Sequence, residues 1–141
     1  MEMKVAVIDD DQVQLNMMKR WLRGEPWCEE VLAIKNEVGC TNTVRAFDPD
    51  VVLMDLSMPH ISGAELLEIM MRPDQLPDAC FIVFSGRDAT ELRRVQLACG
   101  ADLALSKNIE LVHIASHIRS FEGRRDAKRR MRLSMKKIGD T

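Results

Sequence analysis

The sequence predicts an α/β domain, a doubly wound parallel sheet of five strands with helices on both faces. Two observations carry that expectation. Five short apolar runs, VAVI (5–8), VLAI (31–34), VVLM (51–54), CFIVF (80–84) and LAL (103–105), recur along the chain with little polar alternation. Strands covered on both faces read this way. The segments between them carry helical periodicity and capping signals, and right-handed crossovers distribute such helices to both sides of one sheet.

The first run leads into Asp9, Asp10 and Asp11, of which Asp11 is placed to cap the next helix. On a helical wheel Val13, Leu15, Met17, Met18, Trp21 and Leu22 spread over roughly 200°, wider than the ~100° stripe that packs on a sheet. The surplus is either a partner surface beside Asp10 or a broad core stripe closed by Trp27. VVLM ends on Asp55, and Ser62 with Glu65 then forms a capping box before LLEIMM. CFIVF ends before Ser85, and Asp88 with Glu91 forms the acidic version of that box before LRRVQLAC. Leu92, Val95 and Cys99 share one stripe of that helix; Leu97 lies off it and is a candidate contact residue. LAL precedes Lys107 and a last helix, in which Glu110, His113 and His117 have metal-ligand spacing but lack the second Glu-x-x-His of a di-iron site, so they read as ordinary helix residues. His60 reads as an exposed loop residue, and Trp21 and the methionines as core.

With 141 residues, 46% of them hydrophobic, the chain suffices for one domain without disulfide or metal staples. Cys28, Cys40, Cys80 and Cys99 form no C-x-x-C pair and read as reduced thiols. No apolar run approaches the ~18 residues of a membrane span, and the N-terminus MEMKVAVIDD lacks a signal-peptide core. A soluble, cytoplasmic protein is the expectation. The net charge of −2 conceals an asymmetry: residues 1–122 hold 12 Lys/Arg against 20 Asp/Glu, and residues 123–141 hold 8 against 2. The expected division is therefore an acidic domain (1–122) and a basic tail (123–141).

In an open α/β sheet, function sits beyond the carboxyl ends of the strands. Those ends carry Asp9 and Asp10, Asp55, Ser85 and Lys107. Clustered carboxylates repel one another and call for a hard divalent cation; a small oxygen-ligated site with water positions suits Mg²⁺. A carboxylate can also attack phosphorus to give an aspartyl phosphate, with an ammonium and a hydroxyl holding the transferred oxygens.

IDDD (8–11), DLSMPHISG (55–63), FSG (84–86) and GADLALSK (100–107), in this order and spacing, resemble a bacterial response-regulator receiver domain over residues ~4–120. The resemblance implies a flavodoxin-like fold with strand order 2-1-3-4-5 and phosphorylation of Asp55 by a sensor histidine kinase or phosphotransfer protein. It further implies Mg²⁺ bound by Asp10 and Asp55, by the backbone carbonyl of Ser57, and by Asp9 through water. Lys107 and Ser85 would assist the chemistry, and a downstream protein or output domain would be met through the face of helix four, strand five and helix five. On this reading the chain is a switch and not a turnover enzyme. Two positions depart from the family pattern. Ala104 stands where an aromatic residue usually couples to the Ser/Thr, and Asn108 follows Lys107 where a cis proline is common, so a trans bond or a strained exception is expected there. The competing classes are a haloacid-dehalogenase-like phosphohydrolase, which would need an acid at Ser57, and an interaction module signalling without phosphate, which Ala104 favours.

In the tail, Ala127, Met131, Met135 and Ile138 recur at helical spacing within a basic surround, after Gly123 interrupts the last helix. Such a surface suits nucleic acid or acidic lipid, a linker to an output domain, or an arm folded onto an acidic partner, including the receiver's own surface. Linker or protein contact is the preferred reading, since the tail has no aromatic residue to stack on bases or anchor in a bilayer.

Overall fold

The computed structural model describes residues 2–56, 63–86 and 89–139. The caps read at Ser62 and Asp88, together with Ser57 and His60, lie outside the described residues. Elements follow in the order β1 (Met3–Ile8), α1 (Gln12–Arg23), β2 (Cys28–Ile34), α2 (Cys40–Phe47), β3 (Val51–Asp55), α3 (Gly63–Met70), β4 (Cys80–Ser85), α4 (Ala89–Cys99), β5 (Leu103–Ser106), α5 (Leu111–Ser120) and α6 (Arg124–Gly139). The strands form one five-stranded sheet in the order β2-β1-β3-β4-β5, and every pairing is parallel.

Strand periodicity splits the core into two layers. Ala6, Ile8, Val52, Met54, Phe81 and Val83 face α2, α3 and α4 through Val44, Leu66, Leu67, Met70 and the half-buried Leu92 and Cys99. Val5, Val7, Val51, Leu53, Cys80 and Ile82 face α1 and α5 through Leu15, Met18, Leu22, Ile114 and Ile118. Both faces of the central strands are therefore dry, which explains the unbroken apolar runs.

Some boundaries differ from the sequence reading. β2 begins at Cys28, three residues ahead of VLAI, because it is an edge strand, where the exposed Glu29 and Glu30 meet water at no cost. Asp11 caps α1 as expected, its carboxylate accepting the Val13 N–H at 2.9 Å. The methionines are not uniformly core: Met3, Met18, Met54 and Met70 are buried, whereas Met17, Met131 and Met135 are exposed. Gly123 takes φ 81° between α5 and α6, a left-handed conformation that favours glycine. Beyond that turn α6 folds back on the receiver with its cations inward and Met131, Met135 and Ile138 exposed. Of the readings offered by the tail, contact with the receiver's own surface is the one the structure contains, in the reverse of the orientation its apolar stripe implies.

Candidate functional site

The carboxyl ends of β1, β3, β4 and β5 bring Asp9, Asp10, Asp55, Ser85 and Lys107 to one rim. The parallel register makes this unavoidable: Ile8 pairs with Met54, Asp55 with Phe84, and Ser85 with Ser106. Lys107 Nζ lies 3.0 Å from Asp55 Oδ2, and the lysine is the more exposed partner, 39% against 15%. Ser85 is buried, and its carbonyl accepts the Lys107 N–H at 3.1 Å. A cavity of about 300 Å³ opens at this rim, its polar lining Asp9, Asp11, Asp55 and Lys107 and its apolar lining including Met17, Phe84, Ile109 and Ile114.

The Lys107 turn is built without proline. The chain contains no cis peptide bond among the described residues, so Lys107–Asn108 is trans. The Asn108 N–H instead bonds to Ser106 Oγ at 3.2 Å, and the Ile109 N–H to the Ser106 carbonyl at 3.2 Å. A serine hydroxyl satisfying an amide two residues on is a local turn device, and Ser106 was not singled out in the sequence. Gly63 was also passed over. A Cβ at Gly63 would stand 2.5 Å from Leu56 Cα and 2.7 Å from Asp55 O, so the start of α3 packs directly on the backbone that carries Asp55.

The acidic side of the rim fits a divalent cation. Asp10 Oδ2 is buried and accepts no hydrogen bond from the described residues, a costly state for a carboxylate oxygen unless a cation shares it. Burial lifts the Asp9 carboxyl above its ordinary value, and the Asp55 charge adds to the rise; the backbone N–H groups of Asp11 and Asp10 oppose it. Asp9 also accepts the Asp11 N–H at 3.0 Å, which ties it to its own turn. Among the described residues no three His, Cys, Asp or Glu side chains are gathered closely enough to hold a metal. Glu110, His113 and His117 belong to no such group either; Glu110 is the N-cap of α5.

Around the site, α1 leaves Val13 and Met17 exposed while Leu15, Met18 and Leu22 are buried, so the broad stripe does exceed what the sheet covers. Ala104 is buried on β5 opposite Val83. Leu97 is exposed on α4, off the half-buried Leu92, Val95 and Cys99. The four cysteines are free thiols, and burial raises that of Cys28 to about 11. No helix among the described residues is long and apolar enough to cross a membrane.

Comparison with known proteins agrees with this geometry. The family described as "Response regulator receiver domain" matches residues 5–119. The transcriptional regulatory protein DegU of Brevibacillus brevis is 29% identical over 109 residues, 77% of this chain and 45% of that protein. TrcR of Mycobacterium tuberculosis, also a transcriptional regulatory protein, is 26% identical over 140 residues, 97% of this chain and 52% of that protein. A protein-glutamate methylesterase/protein-glutamine glutaminase of Vibrio vulnificus is 30% identical over 91 residues, 63% of this chain and 26% of that protein. The chain thus spans from about a quarter to a half of these relatives. A CheY-like receiver structure from Methanospirillum hungatei superposes with a TM-score of 0.72 at 23% identity, covering 93% of this chain and 99% of that one. Receiver domains of this family use Mg²⁺ in phosphorylation, meet histidine kinases or phosphotransfer proteins, and are generally not enzymes in their own right. The parallel sheet, the acidic and lysine-bearing rim and the match over residues 5–119 converge: this chain belongs to the response-regulator receiver family of two-component signal transduction.

Proposed function

We propose that Asp55 is the phosphoacceptor of this receiver. The observation that carries the reading is the Asp55–Lys107 pair at 3.0 Å, on the same rim as Asp10, whose buried Oδ2 accepts no hydrogen bond from the described residues. An Asp55 carboxylate oxygen attacks the phosphorus of a phosphohistidine or acyl phosphate. The new O–P bond forms as the bond to the donor breaks, and the donor leaves with that electron pair. Lys107 exchanges its carboxylate partner for a phosphoryl oxygen and offsets the added negative charge. Ser85, buried one strand away, donates its hydroxyl to another phosphoryl oxygen. Asp10 and Asp55, with the Ser57 carbonyl, would hold Mg²⁺, and Asp9 would act through water. When bound, the metal supplies charge neutralisation for the transferring group.

The donor is a sensor histidine kinase or phosphotransfer protein, and Val13 and Met17 beside the rim supply apolar surface for it. The chain acts in the cytoplasm as a switch, without turnover of a substrate. With Ala104 filling the aromatic position, the signal reaches the α4, β5 and α5 face through backbone shifts, and Leu97 is a contact on that face.

Incubation with Mg²⁺ and acetyl phosphate, followed by intact mass, tests the reading. One phosphoryl group is expected on the wild type and none on Asp55→Asn. Full labelling of Asp55→Asn at one other residue would show a different acceptor. Amide chemical shifts over residues 86–120 should change on modification; identical spectra would favour signalling without phosphate.

A further inference from the structure

Helix α6 is held to the receiver by charge and not by burial. None of its residues is buried, and Met131, Met135 and Ile138 are between 67% and 74% exposed. Its inward face presents Arg125, Lys128, Arg129 and Arg132, at the three- and four-residue spacing that aligns side chains along one side of a helix. Arg125 Nε lies 3.4 Å from Asp50 Oδ1. Lys128 Nζ lies 3.5 Å from Asp102 Oδ1 and donates to the Ala79 carbonyl at 3.3 Å. Arg129 bonds to Asp48 at 2.8 Å and to Asp78 at 3.1 Å. Arg132 grips both Asp78 oxygens, at 3.0 and 2.8 Å.

The anchors are placed in a telling way. Asp50 immediately precedes β3, Asp78 and Ala79 precede β4, and Asp102 precedes β5. These are the three strands whose opposite ends carry Asp55, Ser85 and Lys107. Two anchors are shared with the sheet itself: Asp50 Oδ2 accepts the Lys4 N–H at 2.8 Å and Asp102 Oδ2 the Phe81 N–H at 2.8 Å. Asp102 thus spans β4, β5 and α6 at once. A slip of β5 against β4 pulls on the Lys128 contact without any side-chain rotor, and Ala104 supplies none.

We propose that α6 is a releasable strap, docked across the starts of β3, β4 and β5 while Asp55 is unmodified and freed when Asp55 carries a phosphoryl group. This rests on the phosphoacceptor reading above. Lys107 now joins β5 to β3 through Asp55; once it turns to the phosphoryl oxygens, and Ser85 with it, the relative positions of β3, β4 and β5 change at both ends. A helix docked by apolar burial would stay in place. One docked by ion pairs depends on the placement of its partners, and the guanidinium ends here are 37% exposed at Arg129 and 44% at Arg132 against 6% for Asp78, so a small displacement of the strand starts frees it. By linkage, the strap and the phosphoryl group each weaken the other's hold by the same factor.

The test is amide hydrogen exchange over residues 124–139 of the full chain, with and without Mg²⁺ and acetyl phosphate, with intact mass read on the same samples. Exchange in α6 should speed at least threefold on modification, and as much in Arg129→Glu/Arg132→Glu without it. Adding Asp78→Lys to that variant, which faces both new glutamates with a cation, should restore protection, and this separates docking from misfolding. By reciprocity, the Arg129→Glu/Arg132→Glu variant should bind beryllofluoride with Mg²⁺ at least threefold more tightly than wild type. Complete mass gain with unchanged α6 exchange would overturn the strap while leaving the phosphoacceptor reading standing. No mass gain on wild type would overturn both.

Discussion

Gly63 offers the sharpest test of how the fold supports the site. A methyl group at this position would sit 2.5 Å from Leu56 Cα and 2.7 Å from Asp55 O, with Leu56 Cδ2 a further 3.1 Å contact. Carbon atoms in contact rest at about 3.5–4.0 Å, so the closest approach is short by about 1 Å. The two nearest obstacles are backbone atoms and cannot rotate aside. Either the start of α3 lifts from the sheet or the end of β3 shifts, and overpacking of this kind costs about 1–3 kcal/mol. Gly63→Ala should therefore lower the urea midpoint by about 1 M, taking a slope of roughly 2 kcal/mol per molar. Because the displaced atoms belong to Asp55 and its neighbour, the phosphorylation rate should fall more than stability alone explains, with folded protein monitored in parallel. A Gly63→Ala chain with an unchanged midpoint and unchanged phosphorylation would refute the close-packing argument.

Lys107→Ala should weaken beryllofluoride binding by about 10- to 150-fold, the worth of a charge-assisted hydrogen bond of about 1.5–3 kcal/mol; isothermal titration with Mg²⁺ present reads it, and undiminished affinity would remove Lys107 from the site. Asp78 links stability to acid. The hydrogen bond from Arg132, then that from Arg129, holds its carboxyl below the ordinary value of 3.8. Its contribution is present above that unfolded value and is lost as pH falls through the lower folded one. Urea midpoints taken from pH 7 downward should therefore show an acid-side decline below pH ~4 that is shallower in Asp78→Asn; equal slopes would assign the decline to other carboxylates.

The fold was legible because both faces of its sheet are covered. Val5 to Ile8, Val51 to Met54 and Cys80 to Val83 lie in runs that only strands buried on two sides need, and Asp11 marked the start of α1 by the amide it satisfies. The site was legible because parallel strands deliver their ends to one rim. Less was visible where the cause lies across the fold. Gly63 matters only because α3 returns onto the Asp55 backbone, and no spacing along the chain encodes that return. The Ser106 hydroxyl could have been found, since a serine two residues before an amide that needs a partner is a local signal.

The orientation of the tail helix was not legible, for a different reason. A helix with an apolar stripe is ordinarily oriented by that stripe, and Met131, Met135 and Ile138 define one. Its counterpart, however, is four aspartates at positions 48, 50, 78 and 102, scattered in sequence and gathered only because β3, β4 and β5 begin side by side. Where the carboxylates outnumber the cations of the domain, an inward basic face gains more than an inward stripe of three apolar side chains. The two docking modes respond oppositely to salt: ion pairs are screened, with a Debye length of about 10 Å at 0.1 M and about 3 Å at 1 M, whereas apolar burial is not weakened. Replacing both guanidinium partners of Asp78, as in Arg129→Gln/Arg132→Gln, should therefore lower stability at low ionic strength, and the gap to wild type should narrow as NaCl approaches 1 M. A gap that holds or widens with salt would mean that α6 is attached by its apolar atoms after all.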